Sequence, residues 1–157
     1  MKKSELRKII REEIQLLAEA TRWNVAVEMP NGKVTAVYGH LDGYPEYVGK
    51  LLKKYYNQGG KARDLVKLGK QGISTLGKNL GKKHDFDMSY KEKDKLGYTT
   101  FYGRDRGQKM SMTSTYKSRE DFAKEIGDDI EFGYVWSIND RKWYYYDGRK
   151  RGVEFTL

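Results

Sequence analysis

The sequence predicts an α+β domain: a mostly antiparallel sheet with two or three helices on one face, preceded by a separate N-terminal amphipathic helix. Three observations predict it. The apolar period changes from about 3.6 to 2 between Leu17 and Trp23. Asn31-Gly32 sits between two alternating runs, the strongest short-range hairpin signal. Strict alternation returns at Ile130, Phe132, Tyr134, Trp136 and Ile138. A chain of 157 residues suits one domain, assigned to 20–157 with the helix of 1–19 outside it. Mean hydropathy is low, −0.88, and 34% of residues are charged. Thirteen tyrosines and three tryptophans nevertheless argue for a folded body with an aromatic core.

The first helix spans 4–19, with Ser4 as cap and Leu6, Ile10, Ile14 and Leu17 forming an apolar stripe. Trp23, Val25, Val27 and Met29 alternate as a strand, and Val34, Ala36 and Tyr38 follow after the turn. Residues 39–45 form a tight loop into a helix whose inner face is Tyr47, Val48, Leu51, Leu52 and Tyr55; Pro45 lies in its first turn. Gln58-Gly59-Gly60 ends that helix, and a shorter one runs from Ala62 to Leu68. Residues 69–97, rich in Gly, Lys and Ser, read as a loop with at most short elements. Two strands, 98–102 and 110–116, are expected to pair across a turn at Gly103–Gly107. Ser118 and Asp121 form a capping box ahead of Phe122, Ala123 and Ile126. The alternating strand to Ile138 turns at Asn139-Asp140 into Trp143–Tyr146, and a last strand covers Val153–Phe155.

The absence of cysteine excludes disulfides, thiolate metal sites and cysteine nucleophiles. No apolar run approaches the roughly 20 residues that span a bilayer, and no membrane partner is expected. Net charge is +9. Between Gly49 and Lys83 ten cations (Lys50, Lys53, Lys54, Lys61, Arg63, Lys67, Lys70, Lys78, Lys82 and Lys83) face one acid, Asp64. From Arg119 to Glu131 the balance reverses, with six acids against Arg119 and Lys124. A basic face and an acidic face are expected, the basic one suited to a polyanion.

Three clusters carry candidate chemistry. His40, Asp42 and Tyr44 stand at the entry to a helix, where main-chain N–H groups favour anions. Arg104, Asp105 and Arg106 lie in a Gly-bounded turn and offer a fork for phosphate or carboxylate, or else a solvated hairpin tip. His84, near Asp85 and Asp87, reads as an exposed turn histidine. No spacing matches a metal site, a P-loop or a nucleophile elbow, so no cofactor, metal or catalytic residue is assigned. The sequence favours a binding protein over an enzyme.

The opening MKKSELRKIIREEIQLLAEA resembles the capsid-targeting leader of internal head proteins of T-even-type tailed phages. The resemblance implies docking on the prohead scaffold, then cleavage by the prohead protease after a Leu/Ile-x-Glu triplet. Here the triplet is Leu17-Ala18-Glu19, followed by Ala20. It further implies packaging in the virion interior with the genome, injection into the host cytoplasm, and binding to a host defence protein or restriction system. The body is also similar to a group of small phage and bacterial proteins with a His-x-Asp-Gly-Tyr-Pro loop, here His40 to Pro45. Two alternatives stand beside this reading. One is a non-specific DNA-associated protein. The other is a nucleotide-binding or nucleotide-cleaving module using His40, Asp42, Arg104 and Arg106.

Overall fold

The central hairpin pairs Trp23–Glu28 (β1) with Val34–Gly39 (β2), Val25 opposite Val37, in a computed structural model that describes residues 2–7 and 20–157. The remaining strands are Ile73–Thr75 (β3), Thr100–Phe101 (β4), Thr113–Tyr116 (β5), Phe132–Ser137 (β6), Lys142–Asp147 (β7) and Phe155–Thr156 (β8). They form one sheet in the order β4-β3-β2-β1-β6-β7-β8, with β5 added beside the start of β2. Five pairings are antiparallel; β1 with β6 and β2 with β3 are parallel.

A first helix, α1, is described over 3–7, where every side chain is exposed; Ile10, Ile14, Leu17 and Glu19 lie outside the described residues. Pro45–Gly49 makes a wide helical turn into Lys50–Tyr55 (α2), and Gly59–Leu68 (α3) follows. Tyr90–Leu96 (α4), Tyr102–Arg106 (α5) and Arg119–Lys124 (α6) complete the set. Among the described residues no helix is long and apolar enough to cross a membrane.

Two helices share one face of the sheet, and a third covers the other. Val48, Leu52, Tyr56, Ala62, Leu65 and Val66 of the α2–α3 layer pack on Trp23, Val25, Val27, Tyr134, Trp136 and Trp143. On the opposite face Phe122, Ala123 and Ile126 pack on Ala26, Val34, Ala36, Val135, Tyr144 and Tyr146. Adjacent strand residues point to opposite faces, so β1 and β6 are buried on both sides. Burying each large apolar side chain stabilises the fold by roughly 1.5–3 kcal/mol.

The predicted pairing of 98–102 with 110–116 does not occur. The later segment, β5, lies against β2, with Val34 opposite Tyr116. The Gly-bounded segment between them is not a hairpin tip but the short helix α5. The cause is Asp105, whose carboxylate accepts the Phe101 N–H at 2.8 Å and draws the chain into a helical turn. Ser118 does cap α6, accepting the Asp121 N–H at 3.1 Å.

Two tyrosines lock the α2 layer to the loop after β3. Tyr47 donates to the Leu76 carbonyl at 2.9 Å, and Tyr56 donates to the Gly77 carbonyl at 2.7 Å. Burial pushes both phenols up to about 12 from an ordinary 10. Between these values the folded protein holds protons that the unfolded chain has lost, so stability is retained below pH 10 and falls as pH rises toward 12. Thermal melts across this window should show a declining Tm, with the tyrosinate absorbance of the last tyrosines rising together with unfolding. A Tm that stays level while those tyrosines ionise would contradict it.

Candidate functional site

The ten cations between Gly49 and Lys83 are all exposed. Lys50, Lys53 and Lys54 stand on α2, Lys61, Arg63 and Lys67 on α3, and Lys70 on the 3-10 turn Gly69–Gln71 that extends it. The inner faces of both helices are committed to the core, which leaves these side chains pointing outward. Among the described residues none of the ten joins an ion pair. Lys54 rests on the Tyr55 ring, and the Arg63 Nε makes a long 3.4 Å bond to the Gly59 carbonyl. Lys78, Lys82 and Lys83 extend the charge along the loop after β3. Across the sheet, α6 and the turn after it expose Glu120, Glu125, Asp128, Asp129 and Glu131. Two cations on that side are paired, Lys124 with Asp121 and Arg151 with Asp128. The charge is therefore polarised: among the described residues the long run of exposed cations without ion pairs lies on α2, α3 and the segment after them, and the acidic run lies on and after α6.

The His40 loop and the Arg104 helix are neighbours, but their side chains turn to different tasks. The His40 Nδ1 is 2.7 Å from the Tyr38 hydroxyl, and its ring stands edge-on to Tyr102. Burial, then the charge of Arg22, holds its pKa below the ordinary histidine value, so the imidazole is neutral at pH 7. Asp42 takes a left-handed backbone and accepts from the Tyr44 hydroxyl at 3.3 Å. Tyr44 packs beside Tyr47.

Arg104 and Asp105 form a knot inside the protein. The Asp105 side chain is fully buried and accepts from the Phe101 and His84 main-chain N–H groups and from Arg104. Arg104 also donates to the carbonyls of Leu80 and Thr99, at 2.8 and 2.9 Å, and lies over Phe101. This knot ties the loop after β3 to β4 and leaves its guanidinium occupied. His84 belongs to the knot; its side chain is 4% exposed, not an exposed turn residue. It is buried because its Nε2 reaches Thr100 Oγ1 at 3.2 Å and its Nδ1 reaches the Lys82 carbonyl at 2.8 Å. Arg106 alone of the three points outward, over Phe86 and Tyr102. Of the processing triplet, Leu17 and Glu19 lie outside the described residues, and Ala20 is half-buried just before β1.

A second charged centre was missed from sequence. The Arg119 Nη1 donates to Glu28 Oε1 at 2.9 Å and to Asp140 Oδ2 at 3.3 Å, and its Nε donates to Glu154 Oε2 at 3.2 Å. The guanidinium also lies over the Tyr144 ring. Burial opposes its charge, but Glu28 and Glu154 outweigh burial and hold its pKa above the ordinary arginine value. Tyr144 and Tyr146 donate to Asp140 and Glu154, both at 2.6 Å. This centre staples the start of α6 to β1 and the C-terminal strands. The available signal was parity: Glu28 continues the inward face of Ala26 and so needs a buried cation. Among the described residues no group of three His, Asp or Glu side chains has the geometry to hold a metal ion; the three carboxylates here bind Arg119 instead. Comparison with known proteins adds no relative, since no family model, curated protein or solved structure matches the chain.

Proposed function

We propose that this protein acts by binding a polyanion through its α2–α3 face, and that it is an internal virion protein of a tailed phage. It is stored beside the packaged genome, trimmed after Glu19, and injected to meet a host defence protein or nucleic acid. The observation that carries the binding reading is the set of exposed cations without ion pairs on one side of the sheet. Lysines in such an array release condensed counterions when they meet phosphates, a source of affinity that requires no base recognition. The virion reading is supported by the position of Leu17-Ala18-Glu19-Ala20, which ends just ahead of Trp23, the first residue of the core.

Fluorescence anisotropy with a duplex oligonucleotide tests the binding reading. Affinity should fall with salt at a log–log slope of about −5, as expected for some six phosphate contacts. Replacing Lys53 and Lys67 with glutamine should make that slope shallower by about two. No retention of DNA at low salt removes the reading. For packaging, mass spectrometry of purified virions should find an N-terminus at Ala20, and an intact Met1 form would count against it.

A further inference from the structure

We propose that the cleft at the start of α3, between Arg63 and Arg141 and floored by Trp136, is a phosphate-binding site. Asn57, Gln58, Gly59 and Ile138 complete its lining, around a space of about 380 Å3. The ten-residue helix α3 begins after Gln58, whose extended backbone supplies no side-chain cap. Its first N–H groups have no acceptor within the helix, the positive end of the helix dipole lies behind them, and Gln58 and Gly59 at this end line the cleft.

Trp136 supplies the second, independent sign. Each of the other tryptophans has a partner: Trp23 Nε1 donates to the Leu41 carbonyl and Trp143 Nε1 to the Tyr56 carbonyl. Trp136 is only 4% exposed, yet its Nε1–H has no hydrogen-bond partner among the described residues. No partnerless side-chain nitrogen or oxygen of those residues is sealed from solvent. This N–H therefore opens outward, and the cleft it lines is the way out. A Cβ on Gly59 would stand 3.5 Å from Nε1, which places the indole N–H beside the first residue of α3.

The rim is built for an anion. Neither Arg63 nor Arg141 joins an ion pair among the described residues, and no carboxylate lines the cleft. Arg141 sits at a φ of 55, a left-handed position that favours glycine. Indole N–H, helix N–H groups and two guanidinium forks are all donors, and a tetrahedral oxyanion accepts from every side. Arg63 also borders the groove containing Lys67 and Lys70, which joins the cleft to the cationic face. For its occupant the site rests on the polyanion reading and takes a backbone phosphate of nucleic acid; a free phosphate shares that chemistry.

The test is a nitrogen-15 NMR titration of the full chain, first with inorganic phosphate and then with a duplex oligonucleotide. Both should shift the Trp136 indole N–H and the Gly59 and Gly60 amides saturably. Arg63→Gln with Arg141→Gly, the latter placing glycine at a left-handed position, should weaken phosphate binding about tenfold or more without lowering the Tm. If phosphate moves these signals and the oligonucleotide neither moves them nor binds by anisotropy, the site stands with a free phosphate as ligand and the polyanion reading fails. An oligonucleotide that binds while both titrations leave these signals unmoved overturns the site and spares that reading. Unchanged phosphate affinity in the double variant overturns the site as well.

Discussion

Replacing Arg119 with alanine lowers stability by about 3 kcal/mol and the melting temperature by roughly 6–12 °C. The size follows from what remains behind. The Glu28 side chain is 10% exposed, and its carboxylate then keeps the Ser137 hydroxyl, at 2.7 Å, as its partner but loses its counter-charge. Asp140 and Glu154 lose the same cation, so three carboxylates face one another near the start of α6. An exposed ion pair is worth only about 0–1 kcal/mol, so the burial of Glu28 decides the magnitude. Arg119→Lys should recover only part of the loss, since an ammonium cannot present the fork that reaches three acceptors. Arg119→Met combined with Glu28→Gln should recover more, because no uncompensated charge is left inside. Thermal and urea melts of the four proteins measure this. A loss below about 1 kcal/mol for the alanine variant would falsify the staple.

Gly39→Ala is expected to cost about 3 kcal/mol or more, through crowding rather than lost contacts. Gly39 lies directly opposite Trp23 in the β1–β2 pairing. An added Cβ would stand 2.0 Å from Trp23 Cε2, far inside van der Waals contact. The indole has nowhere to retreat: it is fully buried, and its Nε1 is fixed to the Leu41 carbonyl at 3.0 Å. Relief requires moving β2 or breaking that bond. Gly60→Ala is the matched control. Nothing lies within 4 Å of its would-be Cβ, and alanine is the better helix former, so that variant should gain up to about 1 kcal/mol. Opposite signs for two glycine-to-alanine changes, read from urea midpoints in one series, separate packing from propensity. A near-neutral Gly39→Ala would mean that the Trp23 pocket is looser than this geometry allows.

The α+β class, the β1–β2 hairpin, the alternating β6 and the Ser118 cap were legible in the sequence because each rests on neighbours along the chain. Asn31-Gly32 needs no distant residue to turn, and Ser118 needs only the N–H of Asp121. The cationic run from Lys50 to Lys83 was legible for a related reason: helices whose inner faces are apolar must carry their lysines outward. Segments whose partners are remote were misread. Residues 113–116 show a strand pattern, but nothing in them names β2 as the strand they join. Tyr102–Arg106 looks like a turn until the buried Asp105 gathers the Phe101 and His84 N–H groups.

Sequence alone therefore determined the periodicities, the caps, the turn and the sign and place of the surface charge, all set by interactions within a few residues. Only the tertiary structure decided that β1 and β6 lie parallel at the centre of the sheet, buried between α2–α3 on one side and α6 on the other. It likewise decided that Arg104 is consumed while, among the described residues, Arg63 and Arg141 join no ion pair, and that one indole N–H of three is left to a cleft. The reason is physical. Whether a donor is satisfied depends on which acceptors the packed chain brings within about 3 Å, and those acceptors come from anywhere in the sequence.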